Sequence, residues 1–153
     1  MSTLELKIPP ALLFVVVAIL MWLVSVWLPG IEFPLAIRIV AFMVFAGVGG
    51  VVAIAGVKAF ARVETTVNPT APEKSSSLVT SGIYGRTRNP MYVGLLLALV
   101  GWGLFLSSAY SLVLCVGFVV YMNRFQIRRE EEVLTAVFGL DYRTYKEQVR
   151  RWF

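Results

Sequence analysis

Residues 91–123 read MYVGLLLALVGWGLFLSSAYSLVLCVGFVVYMN, and this run of 33 residues contains no charged side chain. Because about 20 residues cross the hydrocarbon core of a bilayer as a helix, the run is too long for a single span. Its middle holds Ser107, Ser108 and Ala109, small and polar residues that are typical of a tight turn. The run therefore predicts a hairpin of two short membrane helices, over residues 90–106 and 109–124.

Two more uncharged blocks precede this hairpin, over residues 8–28 and 39–57. They predict membrane helices over residues 9–28 and 36–60, which makes four spans in all. Hydrophobic residues make up 58% of the chain and charged residues only 15%, a composition that is wrong for an ordinary soluble domain. We therefore expect the 153 residues to form one all-α integral membrane domain, with cytoplasmic helices after the hairpin.

The charges predict how this domain lies in the membrane. Of the 14 lysine and arginine residues, only Arg38, in the short first loop, falls on the far side of the spans. Because cytoplasmic loops carry the excess of basic residues, we expect both termini in the cytoplasm and the chain in the inner (cytoplasmic) membrane, among membrane lipids. This topology also accounts for the net charge of +5, so no nucleic-acid partner is expected.

A polar and aromatic stretch, residues 78–92, leads into the hairpin and reads LVTSGIYGRTRNPMY. Tyrosine and arginine crowded at a helix entrance predict a binding site. Proline is favoured at the first helical position, so Pro90 marks the start of the helix. Asn89 would then cap the helix with its side chain, or the helix end would hold an anionic group of a ligand. Both interpretations remain open on the sequence alone.

A second polar segment follows the hairpin and predicts a helix over residues 127–138. Its acidic residues Glu130 and Glu131 fall on the apolar side of this helix, which is formed by Ile127, Leu134, Val137 and Phe138. Carboxylates on a buried face are costly unless something satisfies them. Either a nearby basic residue pairs with them for structural reasons, with Arg86, Arg88 and Arg124 as the candidates, or they hold a cationic, hydroxyl-bearing ligand. On the opposite face, Arg128 and Glu132 are spaced as a solvated i,i+4 pair.

The remainder of the chain predicts one more helix, over residues 142–151. Gly139 is expected to end the preceding helix and Asp141 to cap the new one. Aromatic and basic residues would lie on separate faces of the new helix, which favours an amphipathic helix on the inner leaflet.

Glycines in the second and third spans are the remaining candidate packing or binding residues. The small residues Gly47, Gly49, Gly50 and Gly56 predict close helix packing in the second span. In the third span, Gly101 and Gly103 predict either helix contact or a flat backbone surface for a ligand. The chain contains no histidine, so the commonest general base and the commonest transition-metal ligand are both missing, and we expect no metal site.

Taken together, the two polar segments resemble the membrane methyltransferase superfamily of isoprenylcysteine carboxyl methyltransferases and phospholipid N-methyltransferases. The first motif of that superfamily is matched by Leu78, Val79, Gly82, Tyr84, Arg88, Asn89, Pro90, Tyr92 and Gly94. The second motif is matched by Glu130, Glu131, Leu134, Phe138, Gly139, Tyr142, Tyr145 and Val149. The resemblance covers about half of the chain, from Leu78 onward.

The resemblance implies a methyltransferase that uses S-adenosylmethionine as methyl donor, bound between the last two spans and the cytoplasmic segments. The cofactor contacts that it implies are Leu78, Val79, Tyr84, Asn89, Met91, Tyr92, Gly101, Gly103, Glu130 and Glu131. The two glutamates would accept hydrogen bonds from the ribose hydroxyls or face the ammonium group, while the tyrosines would offer aromatic faces to the adenosine or the sulfonium. Substrate positioning is expected from Arg88, Tyr92 and Arg124.

The acceptor remains open between an isoprenylcysteine-like carboxylate and a lipid head group. Carboxyl methyltransferases carry histidine where this chain has Asn89 and arginine where it has Gln126, and Gly85 replaces a residue that is often basic in related bacterial sequences. An ionised acceptor needs no base, which favours an anionic group on a lipophilic molecule that arginine would bind. The alternative hypothesis is a non-catalytic membrane protein, either a transporter or an assembly factor with a degenerate methyltransferase fold. The oligomeric state stays open.

Overall fold

The computed structural model describes residues 8–62 and 77–153, which are helical with short connections and contain no β-strand. Four helices form the membrane part: α1 (Pro10–Trp27), α2 (Leu35–Arg62), α3 (Pro90–Phe105) and α4 (Ala109–Tyr121). A short 3₁₀ turn, Gly82–Gly85, precedes α3. After α4 come a π-helical turn (Met122–Ile127), α5 (Arg128–Phe138) and α6 (Leu140–Gln148).

These helices lie where the sequence predicts spans, to within a few residues. Three helices are long and apolar enough to cross a membrane: α1, α2 and a continuous helix from Ala109 to Phe138, whereas α3 is apolar but has only 16 residues. The helices predicted separately over residues 109–124 and 127–138 form one continuous helix, because the π-helical turn joins α4 to α5. Large apolar side chains on the outside of α2, such as Val51 at 69% exposure, fit a surface covered by lipid. The protein is therefore an all-α membrane protein.

Helix α3 packs antiparallel against α2, and two glycines bring their backbones together. A Cβ atom on Gly94 would lie 2.5 Å from the carbonyl oxygen of Gly49, and one on Gly49 would lie 2.6 Å from the carbonyl oxygen of Gly94. Further along, Gly56 accommodates Pro90 at the start of α3. The packing prediction is confirmed for Gly49 and Gly56. It is wrong for Gly47 and Gly50, which have no atom within 4 Å of an added Cβ and so face away from α3.

The predicted turn between α3 and α4 is confirmed at Ser107 and Ser108. Ser107 adopts a positive φ of 54°, and its carbonyl accepts a hydrogen bond of 2.8 Å from the backbone N–H of Ile31. The Ser108 hydroxyl oxygen caps α4 by accepting from the N–H of Ser111 at 3.2 Å. In turn, the Ser111 hydroxyl donates to the carbonyl of Met21 at 2.7 Å. These bonds join the hairpin to α1 and to the loop after it.

Two apolar clusters hold the chain together. The larger lies between α1, α3 and α4 and contains Met21, Leu99 and Phe118, all fully buried. The smaller lies beyond the membrane helices and packs Val79 and the aromatic rings around it, namely Tyr84, Tyr142 and Tyr145. Because the Tyr145 hydroxyl donates to the carbonyl of Tyr84 at 2.7 Å, α6 is fixed against the 3₁₀ turn.

The helices after the hairpin differ from the prediction in three places. Gly139 ends α5, as predicted, with a φ of 57°. It also stands directly before α6, which begins at Leu140, so Asp141 is a first-turn residue and not the cap. Helix α6 ends at Gln148, and Val149 is extended. Val137 is 45% exposed and does not belong to the buried side of α5.

Candidate active site

The polar residues of both sequence motifs meet at one end of the helix bundle, where α2 ends and α3 begins. Of the 12 lysine and arginine residues in the described part of the chain, 11 lie at this end, and we call it the basic end. The exception, Arg38, lies at the other end and donates from Nε to the carbonyl of Phe105 at 2.5 Å. The basic end is built from the start of α3, from α5, from the 3₁₀ turn and from residues 149–152.

Glu130 is held by two hydrogen bonds at this end. The Tyr92 hydroxyl, in the first turn of α3, donates to Glu130 Oε1 at 2.5 Å. Gln126 Nε2 donates to the same oxygen at 2.6 Å. Glu130 is only partly exposed, and both of these hydrogen bonds end on Oε1.

Burial also changes the acidity of Glu130. The apolar part of the long helix ends at Arg124, where charged residues begin, so α5 lies beyond the membrane-spanning part. Burial raises the pKa of the Glu130 carboxyl to about 7, although the hydrogen bonds from Tyr92 and Gln126 act to lower it. A carboxylate poised near neutral pH is a common feature of functional sites.

The π-helical turn places Gln126 beside Glu130. Gln126 lies within this turn, is 98% buried, and stands four residues before the glutamate to which it donates. Isolated π-helical turns occur frequently at functional sites, where they change the register of the side chains that follow. The sequence marked Gln126 only as a departure from the superfamily pattern. Its spacing of four from Glu130 on one helix face is the signal that points to the contact.

Glu131, the second acid of the pair, is buried among three cations. Arg151 donates from Nε to Oε1 and from Nη2 to Oε2, both at 2.7 Å. Arg88 Nη2 lies 3.1 Å from Oε1, and Lys146 Nζ lies 3.7 Å from Oε2. Burial alone would raise the pKa of this carboxyl, but the hydrogen bonds from Arg151 and the three positive charges lower it below its ordinary value. The prediction that Arg88 pairs with the acids is thus confirmed for Glu131, and Arg151 was missed.

Arg88 is a buried cation with unused hydrogen-bonding capacity. Its side chain is 10% exposed, and its Nε and Nη1 atoms are buried and make no hydrogen bond among the described residues. Burial raises the pKa of the nearby Tyr142 hydroxyl, while the charge of this guanidinium and a side-chain hydrogen bond between the two groups act to lower it. Unpaired donors on a buried charge are costly, and they are expected where a ligand completes the site.

The other basic candidates lie outside this cluster. Arg124 makes no ion pair within the described ranges, and its guanidinium lies 5.6 Å from the centre of the Phe125 ring. Arg86 is exposed. Arg128 pairs with Glu132 at 3.4 Å on the solvated face, as the i,i+4 spacing predicts. Of the basic residues proposed from the sequence, Arg88 alone reaches the acids in the described structure.

Asn89 stands at the N-cap position of α3, but its side chain does not cap the helix. Asn89 Nδ2 donates instead to the carbonyl of Arg151 at 3.0 Å. The Thr87 hydroxyl donates to that same carbonyl at 3.0 Å, and the N–H of Arg88 donates to the carbonyl of Arg150 at 2.9 Å. The capping prediction is therefore wrong, because residues 150–151 offer a carbonyl that the asparagine amide reaches. The same bonds fasten this segment over the entrance of α3.

The remaining candidates near the basic end lie in or against the two apolar clusters. Val79 and Tyr84 lie in the smaller apolar cluster with Leu78 packed against it, and the Tyr84 ring meets Phe60 edge-on at 5.3 Å. Burial raises the pKa of the Tyr84 hydroxyl, and the charges of Tyr145 and Glu130 raise it further. Met91 lies beside Tyr92 in the first turn of α3, against the larger cluster.

Gly101 and Gly103 lie far from the acids and are used in helix packing. An added Cβ would meet Phe45 Cβ at 2.9 Å from Gly101 and Leu112 Cδ2 at 2.5 Å from Gly103. Tyr92 precedes Gly103 by 11 residues, or roughly 17 Å along a helix. A cavity of about 180 Å³ at that end is lined mainly by apolar side chains and by Arg38. The space beside both glycines is filled by side chains, and their contact with a cofactor stays a prediction.

The comparisons with known proteins agree with this arrangement. The phospholipid methyltransferase family matches residues 36–141, which is more than half of the chain. The chain belongs to the phospholipid methyltransferase family, and it is a membrane methyltransferase by that membership. No solved structure matches it.

Two curated relatives extend the comparison. The chain is 45% identical over 62 residues to an uncharacterised protein of Haemophilus influenzae, a match that covers 40% of this chain and 98% of that protein. It is 38% identical over 80 residues to the Protein-S-isoprenylcysteine O-methyltransferase A of Arabidopsis thaliana. That match covers 50% of this chain but 39% of the plant enzyme. Both branches of the superfamily that the motifs resemble are thus represented.

Proposed function

We propose that this protein transfers a methyl group from S-adenosylmethionine to a lipophilic acceptor at the basic end of the bundle, and that this end faces the cytoplasm at the inner membrane. The observation that carries the proposal is the environment of Glu130. Its carboxyl is oriented by Tyr92 of α3 and by Gln126 of the π-helical turn, and the residue is only partly buried. A polar side chain that is fixed, deep and still reachable is suited to a ligand.

The residues at this end fit the chemical groups of the methyl donor. S-adenosylmethionine would supply a methyl group on a positively charged sulfonium, beside an ammonium, a carboxylate and a ribose diol. Glu130 Oε2 is suited to accept from the diol or the ammonium, because Oε1 already accepts from Tyr92 and Gln126. The unpaired nitrogens of Arg88 are suited to a carboxylate or another anion.

In this proposal the residues at the basic end mainly position the methyl donor and the acceptor. Methyl transfer from a sulfonium is an in-line displacement, so holding the two reactants in line and away from water supplies much of the acceleration. Tyr92 and Gln126 hold Glu130, and Arg88 would bind an anionic group of the acceptor close to the same place. An acceptor that is already ionised needs no base from the protein. A carboxylate or an anionic lipid head group satisfies that condition.

The acceptor would reach the site from the bilayer. The outer surfaces of α1 and α2 are apolar and exposed along most of their length, so a lipid tail can remain in the hydrocarbon while its head group approaches the start of α3. The family description names phospholipids, and the plant relative is named for an isoprenylated cysteine. Both are lipophilic, and Arg88 would serve an anionic group in either class.

Calorimetric binding of S-adenosylmethionine and of its demethylated product to the detergent-solubilised protein tests the proposal. Glu130→Gln removes the charge at the proposed contact, whereas Glu132→Gln on the same helix removes the charge of a carboxylate that lies on the solvated face. We expect micromolar binding by the wild type and the Glu132 variant, and its loss in the Glu130 variant. A monodisperse wild-type protein that binds neither compound would contradict the proposal and favour the non-catalytic alternative.

A further inference from the structure

The ion cluster around Glu131 contains more positive than negative charge. One carboxylate is surrounded by the side chains of Arg88, Lys146 and Arg151, which leaves a surplus of two positive charges (three minus one). Glu131 is buried and Arg88 nearly so. Surplus charge in such a place attracts an anion.

The three cations do not share Glu131 equally. Arg151 uses both carboxylate oxygens in a bidentate pair at 2.7 Å, which is the strongest geometry available to an arginine and a carboxylate. Arg88 contacts the same carboxylate through Nη2 only, at 3.1 Å. Its Nε and Nη1 atoms remain buried without a hydrogen bond among the described residues. Glu131 thus neutralises Arg88 only in part.

From this asymmetry we infer that Arg151 is a positioning residue: by occupying both oxygens of Glu131 it keeps the guanidinium of Arg88 free to bind an anionic ligand group. Without the Arg151 side chain, Glu131 would take Arg88 as its bidentate partner, because a buried carboxylate needs a counter-ion. Arg88 would then lose the donors that it offers to a ligand. The inference rests on the proposed function in one respect, namely that Arg88 binds an anionic group.

A second set of contacts separates this role from a purely structural one. Residues 150–151 are fastened to the entrance of α3 through their carbonyl groups, which accept from Arg88 N, Thr87 Oγ1 and Asn89 Nδ2. Those bonds do not involve the Arg151 side chain. Arg151→Gln therefore removes the bidentate pair and leaves the carbonyl groups in place.

The experiment measures the affinity of the purified full chain for inorganic phosphate, from the rise in melting temperature with phosphate concentration. Chloride at the same ionic strength is the control, and acetate in a parallel titration distinguishes a carboxylate site from a phosphate site. The variants are Arg88→Gln, Arg151→Gln, Glu131→Gln and the double variant Arg151→Gln/Glu131→Gln. Phosphate binding does not require the methyl donor, so failure here is distinguishable from failure of the calorimetric test above.

We expect Arg88→Gln to abolish anion binding and Arg151→Gln to weaken it about tenfold or more, the usual consequence of losing hydrogen bonds to a charged group. In the Glu131→Gln background, where no carboxylate can capture Arg88, Arg151→Gln should have little effect. An equal loss in both backgrounds would mean that Arg151 acts only through its own charge, and it would overturn the inference. So would an absence of phosphate and acetate binding in the wild type.

A conservative variant keeps the test decisive if Arg151→Gln does not fold. Lysine retains the charge but cannot form the bidentate pair, so Arg151→Lys should weaken anion binding by a smaller factor than the glutamine variant. That loss should also disappear in the Glu131→Gln background. Wild-type anion affinity in Arg151→Lys would show that the bidentate geometry is unimportant and would overturn the inference.

Discussion

The hydroxyl of Tyr92, in the first turn of α3, donates a hydrogen bond of 2.5 Å to Oε1 of Glu130, which lies 38 residues further along the chain in α5. This bond joins the two sequence motifs directly. It also connects the first turn of α3 to the less buried acid of the pair.

Removing the Tyr92 hydroxyl should weaken binding of the methyl donor. Tyr92→Phe leaves Glu130 with Gln126 as its remaining side-chain donor, so the carboxyl loses part of its orientation. A hydrogen bond to a charged group contributes about 1.5–3 kcal/mol, which corresponds to at least a tenfold loss of affinity. Calorimetry with S-adenosylmethionine measures it, and Tyr110→Phe, at an exposed position of α4, is the control. Unchanged affinity in Tyr92→Phe would mean that this hydrogen bond does not contribute to binding of the methyl donor.

Binding of the methyl donor should depend on pH because Glu130 must be ionised to receive a cationic or hydroxyl-bearing group. The pKa of this carboxyl is raised to about 7, so below pH 7 the affinity should fall by up to tenfold per pH unit. Calorimetric titrations between pH 5.5 and pH 8.5, in steps of about half a unit, measure the slope. In Glu130→Gln the dependence should vanish along with most of the affinity. A flat profile in the wild type would contradict a role for the ionised carboxyl.

Glu130 should also reduce the stability of the protein at high pH. Its folded-state pKa lies above the ordinary 4.5, so the folded protein binds more protons between pH 4.5 and pH 7 and loses stability as the pH rises through that window. We therefore expect Glu130→Gln to raise the melting temperature at pH 8 and to change it little at pH 4.5. Thermal unfolding in detergent at the two values measures the difference. An equal rise in melting temperature at both pH values would mean that the variant stabilises the protein through packing and not through the loss of charge.

The contact between α2 and α3 should fail when a methyl group is added at Gly94. Its Cβ would lie 2.5 Å from the Gly49 carbonyl and 2.8 Å from Ala53 Cβ, so the two helices must separate. Overpacking of this kind costs about 1–3 kcal/mol. Gly50→Ala is the matched control, because nothing lies within 4 Å of its added Cβ. Thermal unfolding should show a clear loss for Gly94→Ala and none for the control, and equal behaviour of the two would argue against the close approach.

Labelling of single cysteines tests the proposed orientation. Cys115 is buried, and a Cys115→Ser background allows one new cysteine to be placed at Glu32 or at Arg143, both exposed. A membrane-impermeant maleimide added to intact cells should label Glu32→Cys at once and Arg143→Cys only after the membrane is opened. The reverse pattern would place the basic end outside the cell.

Much of the fold can be predicted from the sequence because hydrophobic length and turn chemistry are local properties. The uncharged run over residues 91–123 predicts both α3 and α4, and the pair Ser107 and Ser108 marks the turn between them. The continuity of α4 with α5 could not be predicted in the same way. It depends on a π-helical turn over Met122–Ile127, and none of the residue types in that segment is characteristic of such a turn.

The candidate site could be predicted only in part, because its partners come from distant parts of the chain. The position of Glu130 and Glu131 on the buried side of their helix follows from helical periodicity, and Glu131 is indeed buried. The sequence predicts a continuous helix over residues 142–151, in which Arg151 would lie on the basic face and not against Glu131. The helix ends at Gln148, and the extended residues that follow turn the Arg151 side chain back onto Glu131.

The unbroken helix from Ala109 to Phe138 has a mechanical consequence. Its 30 residues extend roughly 45 Å, whereas the 16 residues of α3 extend roughly 24 Å, less than the hydrocarbon thickness of an average bilayer. A change in bilayer thickness alters helix tilt, and the long helix continues past its apolar part to Glu130. Since Tyr92 lies on α3, we expect bilayer thickness to change the distance between these two residues, so that lipid composition affects the site.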